Sequence, residues 1–118
     1  MKNLYKITGG KSICLYYAKS IADAIRRHRV HHDPNAIVKC ETVLTDQGYP
    51  LVKLRDVPKG SYFHRVSQRD GEFHEFSAVW CKDEYDPSTK KWTCYKYEDF
   101  CDSRELPGGT YVTIDFTF

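Results

Sequence analysis

Long apolar runs are missing from this 118-residue chain. No stretch approaches the ~20 residues that a helix needs to cross a bilayer, which excludes a helical membrane span. The opening MKNLYKITGGK lacks the apolar core of a signal peptide, and a cytoplasmic location is expected. Paired cysteine motifs are missing as well. Cys14, Cys40, Cys81, Cys94 and Cys101 are odd in number and include no CxxC. Reduced thiols are expected in that compartment, where cysteine commonly serves as a small buried hydrophobe. There is no internal repeat, no low-complexity tract and no phosphate-binding glycine loop, since the Gly-Gly pairs at 9–10 and 108–109 open no helix at that spacing. His64 and Cys81 or Cys101 supply the residue types of a thiol–imidazole pair, but no local signature surrounds them. The expectation is a protein that is not an enzyme and uses no cofactor.

Aromatic residues are plentiful: nine Tyr, six Phe and two Trp favour strands and large contact surfaces. The length fits one domain or two small units that share a core. Net charge is +2, unevenly spread. Residues 1–50 hold eight basic against four acidic side chains, and residues 51–118 hold ten against twelve.

Val79–Tyr97, VWCKDEYDPSTKKWTCYKY, predicts a central hairpin turning at Asp86-Pro87-Ser88-Thr89-Lys90. Cys81 and Cys94 lie on its opposite arms, and their pairing is left open. Toward the N-terminus, residues 2–8 and the nearly continuous apolar run Ser12–Ala18 predict two strands turning at Gly9-Gly10, the second covered on both faces. Ser20 followed by Asp23 reads as a helix N-cap, with the helix running from Ile21 to Val30 or His32 and turning Ile21, Ala24, Ile25 and His28 to one face. Pro34 stops it, and Ala36–Leu44 follows as a strand. The fold class is therefore α+β. A strand–strand–helix–strand unit over residues 1–46 is followed by a small twisted antiparallel sheet or half-closed barrel over 51–118, the two forming one compact body around a linker at Thr45–Pro50. Within the second part, Val57-Pro58-Lys59-Gly60, Gln68-Arg69-Asp70-Gly71 and Leu106-Pro107-Gly108-Gly109 read as turns. Residues 98–103 read as polar connection, and Thr110–Phe118 as a closing strand with Val112, Ile114, Phe116 and Phe118 on one face.

Two polar patches are candidate sites. Asp83, Glu84, Tyr85, Asp86, Lys90, Lys91 and Trp92 put aromatics beside charges at the central turn, the composition of a protein-binding anchor. The bland alternative is a set of turn acids that keep a hairpin soluble. On the binding reading, changing Asp83 and Asp86 to Lys is expected to leave stability nearly unchanged and to weaken partner capture. Arg26, Arg27 and Arg29 with His31 and His32 form a basic helix end suited to nucleic acid, or simply to the negative end of the helix dipole. His28, His31 and His32 fall within one turn and two of them can share a metal, but the further ligands needed from His64, His74 or a cysteine depend on the fold, and no metal site is assigned.

The segments LVKLRDVPKGSYFHRV, EYDPSTKKWTCYKYEDF and LPGGTYVTIDFTF resemble a short β module of small tailed-phage proteins, especially those of gut Bacteroidetes hosts. The resemblance spans roughly residues 51–118, and YYAKSIADAI in the first half is similar to strand–helix modules of such accessory proteins. It implies a phage setting and the cytoplasm of a bacterial host. It also implies a non-catalytic protein that inhibits host defence, in the manner of anti-CRISPR proteins, by covering a host protein or nucleoprotein complex.

Overall fold

The computed structural model describes residues 2–9 and 12–114, apart from the Phe100 side chain. The chain divides into two compact units, Met1–Val43 and Leu44–Phe118. It is α+β, with antiparallel sheets and one α-helix among the described residues. No helix there is long and apolar enough to cross a membrane.

In the first unit β1 (Asn3–Gly9) lies between β2 (Ser12–Ala18) and β3 (Lys39–Thr42). Helix α1 (Ile21–His31) packs on the face that carries Tyr5, Ile7 and Ala18, burying Ala24 and His28 against it. The cap forms as its sequence implies: the Ser20 hydroxyl accepts from the Asp23 amide at 3.1 Å, and the Asp23 carboxylate reaches back to the Lys19 amide. That amide, and then Arg26, hold the Asp23 carboxyl below the usual carboxylate range. Replacing Ser20 with Ala is expected to destabilise the first unit by about 1 kcal/mol, read as faster hydrogen exchange of the α1 amides.

Two expectations for this unit change. β2 is an edge strand, and the apolar run that suggested cover on both faces leaves Ile13 68% and Leu15 47% exposed. The run reflects position, because Ile13 and Leu15 alternate with Cys14 and Tyr16 on the helix side. The strand expected over 36–44 is only Lys39–Thr42, since a turn closed by the Ala36 amide on the Asp33 carbonyl consumes its start. Gly10 of the expected Gly9-Gly10 turn lies outside the described residues.

The second unit is an open six-stranded sheet in the order β4 (Val52–Lys53), β9 (Tyr111–Thr113), β5 (Tyr62–Arg69), β6 (Glu72–Asp86), β7 (Lys91–Lys96), β8 (Asp99–Pro107). Every strand-to-strand pairing in it is antiparallel, the single bridge of Thr45 to Phe73 being parallel. β6 is its spine: β5 pairs with its first part and β7 with its last. Asp70 and Gly71 both take positive φ, 52° and 77°, the backbone that a two-residue hairpin loop requires. One face buries Phe63, Trp80, Cys94, Leu106 and Val112, and a 3-10 turn at Leu54–Asp56 adds Leu54 and Val57 to that core.

The polar connection expected at 98–103 is instead part of β8, entered through a two-residue loop at Tyr97-Glu98. Its charged residues suit an edge, where they discourage further strand pairing. Thr45–Pro50, expected as a linker, belongs to the second unit: Leu44 bridges Pro50, Thr45 bridges Phe73, and the Asp46 side chain accepts from the Glu75 amide. The closing strand is described only to Ile114, so the expected positions of Phe116 and Phe118 lie outside the described residues.

Candidate functional site

The end of the β6–β7 hairpin owes its shape to a bulge and a capped turn. Lys82 pairs with Cys94 and Tyr85 with Trp92, so Asp83 and Glu84 stand opposite Thr93 alone. Such an insertion bends and twists the strand. At the tip the Asp86 carboxylate accepts from the Ser88 amide at 2.9 Å and the Ser88 hydroxyl at 2.6 Å, and the Lys90 amide closes on the Asp86 carbonyl. Lys90 takes a left-handed φ of 58° to complete the reversal. Asp86 is thus a turn lock, which corrects its reading as a surface acid open to free reversal.

The bonds from Ser88, its side chain first, hold the Asp86 carboxyl below the usual range. A carboxyl lowered by folding lends stability above its unfolded pKa of about 3.9, and that stability is lost as pH falls through the folded value. Acidification should therefore release the Ser88 amide, and Asp86→Ala should release it at every pH. Both outcomes are readable by amide proton exchange.

Behind the tip the side chains form a stack. Lys82 is buried, with Nζ 2.5 Å from the Val57 carbonyl oxygen, 3.4 Å from that of Arg55, and 3.7 Å from the Trp92 ring centroid. Burial pulls its pKa down. Trp92 is half-buried against the core, and Tyr85 leans on it at 5.0 Å between ring centroids. Tyr85 itself stays 44% exposed. Glu84 pairs with Lys59, Asp83 is half-buried, and Lys90 and Lys91 are exposed. The structure therefore brings the expected residues together on one hairpin, with Trp92 as the support and Tyr85 as the presented ring. Lys82 escaped sequence reasoning. The available signal was its phase, two residues after Trp80 on the core-facing side of β6.

The basic helix end is partly neutralised. Arg26 and Arg27 both bind Asp23, at 2.5 and 3.4 Å, and Arg27 also donates to the Tyr17 carbonyl. Arg29, His31 and His32 are exposed. His28 is buried beneath them, stacked on His32 with ring centroids 4.1 Å apart, and its Nδ1 is 3.1 Å from the Tyr16 hydroxyl. Burial, then the neighbouring His32 and Arg29, lowers its pKa. The Cys14 thiol, on the facing strand, lies 3.8 Å from His32 Nε2.

All five thiols are free. Cys94 sits opposite Lys82 and Cys81 opposite Tyr95, which puts the two thiols on opposite sheet faces, so they do not face each other across the hairpin. Burial raises the Cys40 and Cys81 thiols and pushes Cys94 up to about 12.

Comparison with family models, with curated proteins and with solved structures finds no match to this chain.

Proposed function

We propose that this is a non-catalytic binding protein that covers the surface of a protein partner through the end of the β6–β7 hairpin. The observation that supports this is Tyr85: an exposed ring braced on Trp92, on a turn already fixed by Asp86, between Glu84 and the exposed Lys90 and Lys91. An anchor held in place before binding loses little conformational freedom when a partner closes on it, and Tyr and Trp dominate such anchors. The raised thiols of Cys40, Cys81 and Cys94 favour a binding role over cysteine nucleophile chemistry, which requires a thiolate. A phage setting, a cytoplasmic site of action, and a host-defence protein or nucleoprotein as partner rest on the resemblance of residues 51–118.

Nucleic-acid binding through Arg26, Arg27 and Arg29 is the rival reading, and the Asp23 pairs reduce the charge it has to offer. Capture of partner by immobilised protein tests the proposal. Tyr85→Ala should leave unfolding within about 1 kcal/mol of wild type and weaken capture on the order of tenfold. Unchanged capture would contradict the proposal. So would RNA or DNA affinity that falls steeply with salt in the unmodified protein.

A further inference from the structure

We propose that Cys14, His28 and His32 form a three-ligand site for a zinc(II)-type ion in the first unit, with one coordination position open to water. Each residue contributes one donor atom, and the three atoms lie within 4.8 Å of one another. Around a tetrahedral ion with bonds of about 2.0–2.1 Å to nitrogen and 2.3 Å to sulfur, donor atoms sit about 3.3–3.6 Å apart. The 3.8 Å between Cys14 Sγ and His32 Nε2 is already close to that spacing, and side-chain rotation can supply the rest.

His28 and His32 are four residues apart, one turn along α1 and its C-terminal cap. Their rings are stacked, with centroids 4.1 Å apart and 9° between planes, so the exposed His32 ring turns about its side-chain bonds to aim its in-plane lone pair at an ion shared with His28. Cys14 is on β2 opposite Ile7, on the sheet face that α1 covers. Tyr16, two residues along on the same face, places its hydroxyl against His28 Nδ1. Metal-bound histidines commonly have such an outer partner: with Nδ1–H donating to the Tyr16 oxygen, Nε2 keeps the lone pair for the ion. The graded burial of the trio, His28 inside, Cys14 between and His32 at the surface, gives an ion a route from solvent.

The donor set selects the ion. One thiolate with two imidazoles suits zinc and leaves hard cations such as magnesium or calcium poorly served. On binding, the Cys14 thiol gives its proton to solvent and the sulfur takes the metal as a thiolate, so one proton leaves for each ion bound. The filled site ties the end of α1 to the edge strand β2. This inference is independent of the hairpin proposal, which lies in the other unit.

Cobalt(II) titration of the intact protein, followed by displacement with zinc(II), tests it. Wild type and His31→Ala should each bind one cobalt with a thiolate-to-metal charge-transfer band and the absorption of a four-coordinate ion. Cys14→Ser should abolish the charge-transfer band, and His32→Ala, at an exposed position that folding tolerates, should weaken binding at least tenfold. Zinc in large excess over its dissociation constant should raise the melting temperature of wild type by roughly 5 °C and leave that of Cys14→Ser unchanged. The proposal is overturned by the absence of a sulfur band in wild type. It is equally overturned by cobalt binding that survives both Cys14→Ser and His32→Ala, or by His31→Ala costing as much as His32→Ala.

Discussion

Replacing Lys82 with Ala is expected to destabilise the second unit by about 2–4 kcal/mol, an unusual cost for removing a lysine from a strand. Ordinary lysines are exposed and their loss is nearly neutral. Lys82 is buried, and its stem fills space beside Cys94 and Trp92 while its ammonium serves the Arg55 and Val57 carbonyls. Truncation leaves a cavity, takes the cation from the Trp92 face and strips the Val57 carbonyl of its close donor. Lys82→Met keeps most of the volume and should cost less, which separates packing from polar satisfaction. The pH dependence has a defined sign. Because burial lowers the pKa of Lys82, the unfolded chain holds a proton that the folded chain gives up between the folded value and about 10.4. Stability of wild type relative to Lys82→Met should therefore rise with pH across that window and fall as pH drops back through it. Trp80 and Trp92 both belong to the second unit, so tryptophan fluorescence during urea unfolding reports on it directly.

Phe63→Ala should cost more, about 3–5 kcal/mol. Phe63 is fully buried, pairs in register with Trp80, and sits where β5, β6 and the 3-10 turn meet. Against a typical domain stability of about 5–15 kcal/mol, a loss of this size removes most of the stability at the low end of that range. Urea unfolding followed at Trp80 should show a much lower midpoint at an unchanged slope, and a shift of less than about 1 kcal/mol would mean that the core lies elsewhere.

Elements with local chemistry were legible in the sequence. Ser20 with Asp23 marked the start of α1, Asp70-Gly71 the β5–β6 loop, and Asp86-Pro87-Ser88 the tip of the central hairpin, because each signal acts within a few residues of itself. β8 was illegible for the complementary reason. Its residues Asp99, Asp102 and Ser103 read as polar connection, and only pairing with β7 makes them part of a strand. Ile13 and Leu15 misled because apolar composition does not say which side of a strand finds a partner.

The same divide runs through the candidate sites. The residues of the hairpin patch are neighbours in the chain, so the sequence alone groups them. The support of Tyr85 by Trp92, which in turn lies against Lys82, depends on a bulge that shifts the register, which no local signal announces. The donors around His28 come from strand and helix, and Cys14 joins the two histidines only once β2 is seen to run beneath α1. Asp86 was visible as a turn residue and as a surface charge, and the bonds from Ser88 decide for the turn.

A photoreactive phenylalanine analogue at position 85 tests the central proposal most directly. In extract of cells in which the protein acts, irradiation should yield discrete protein adducts. These should be lost when Lys90 and Lys91 are both changed to Glu, and absent when the same group is placed at Asp70 on the β5–β6 loop. The absence of protein adducts from position 85, equal adducts from position 70, or adducts to nucleic acid in their place would contradict a protein-binding hairpin.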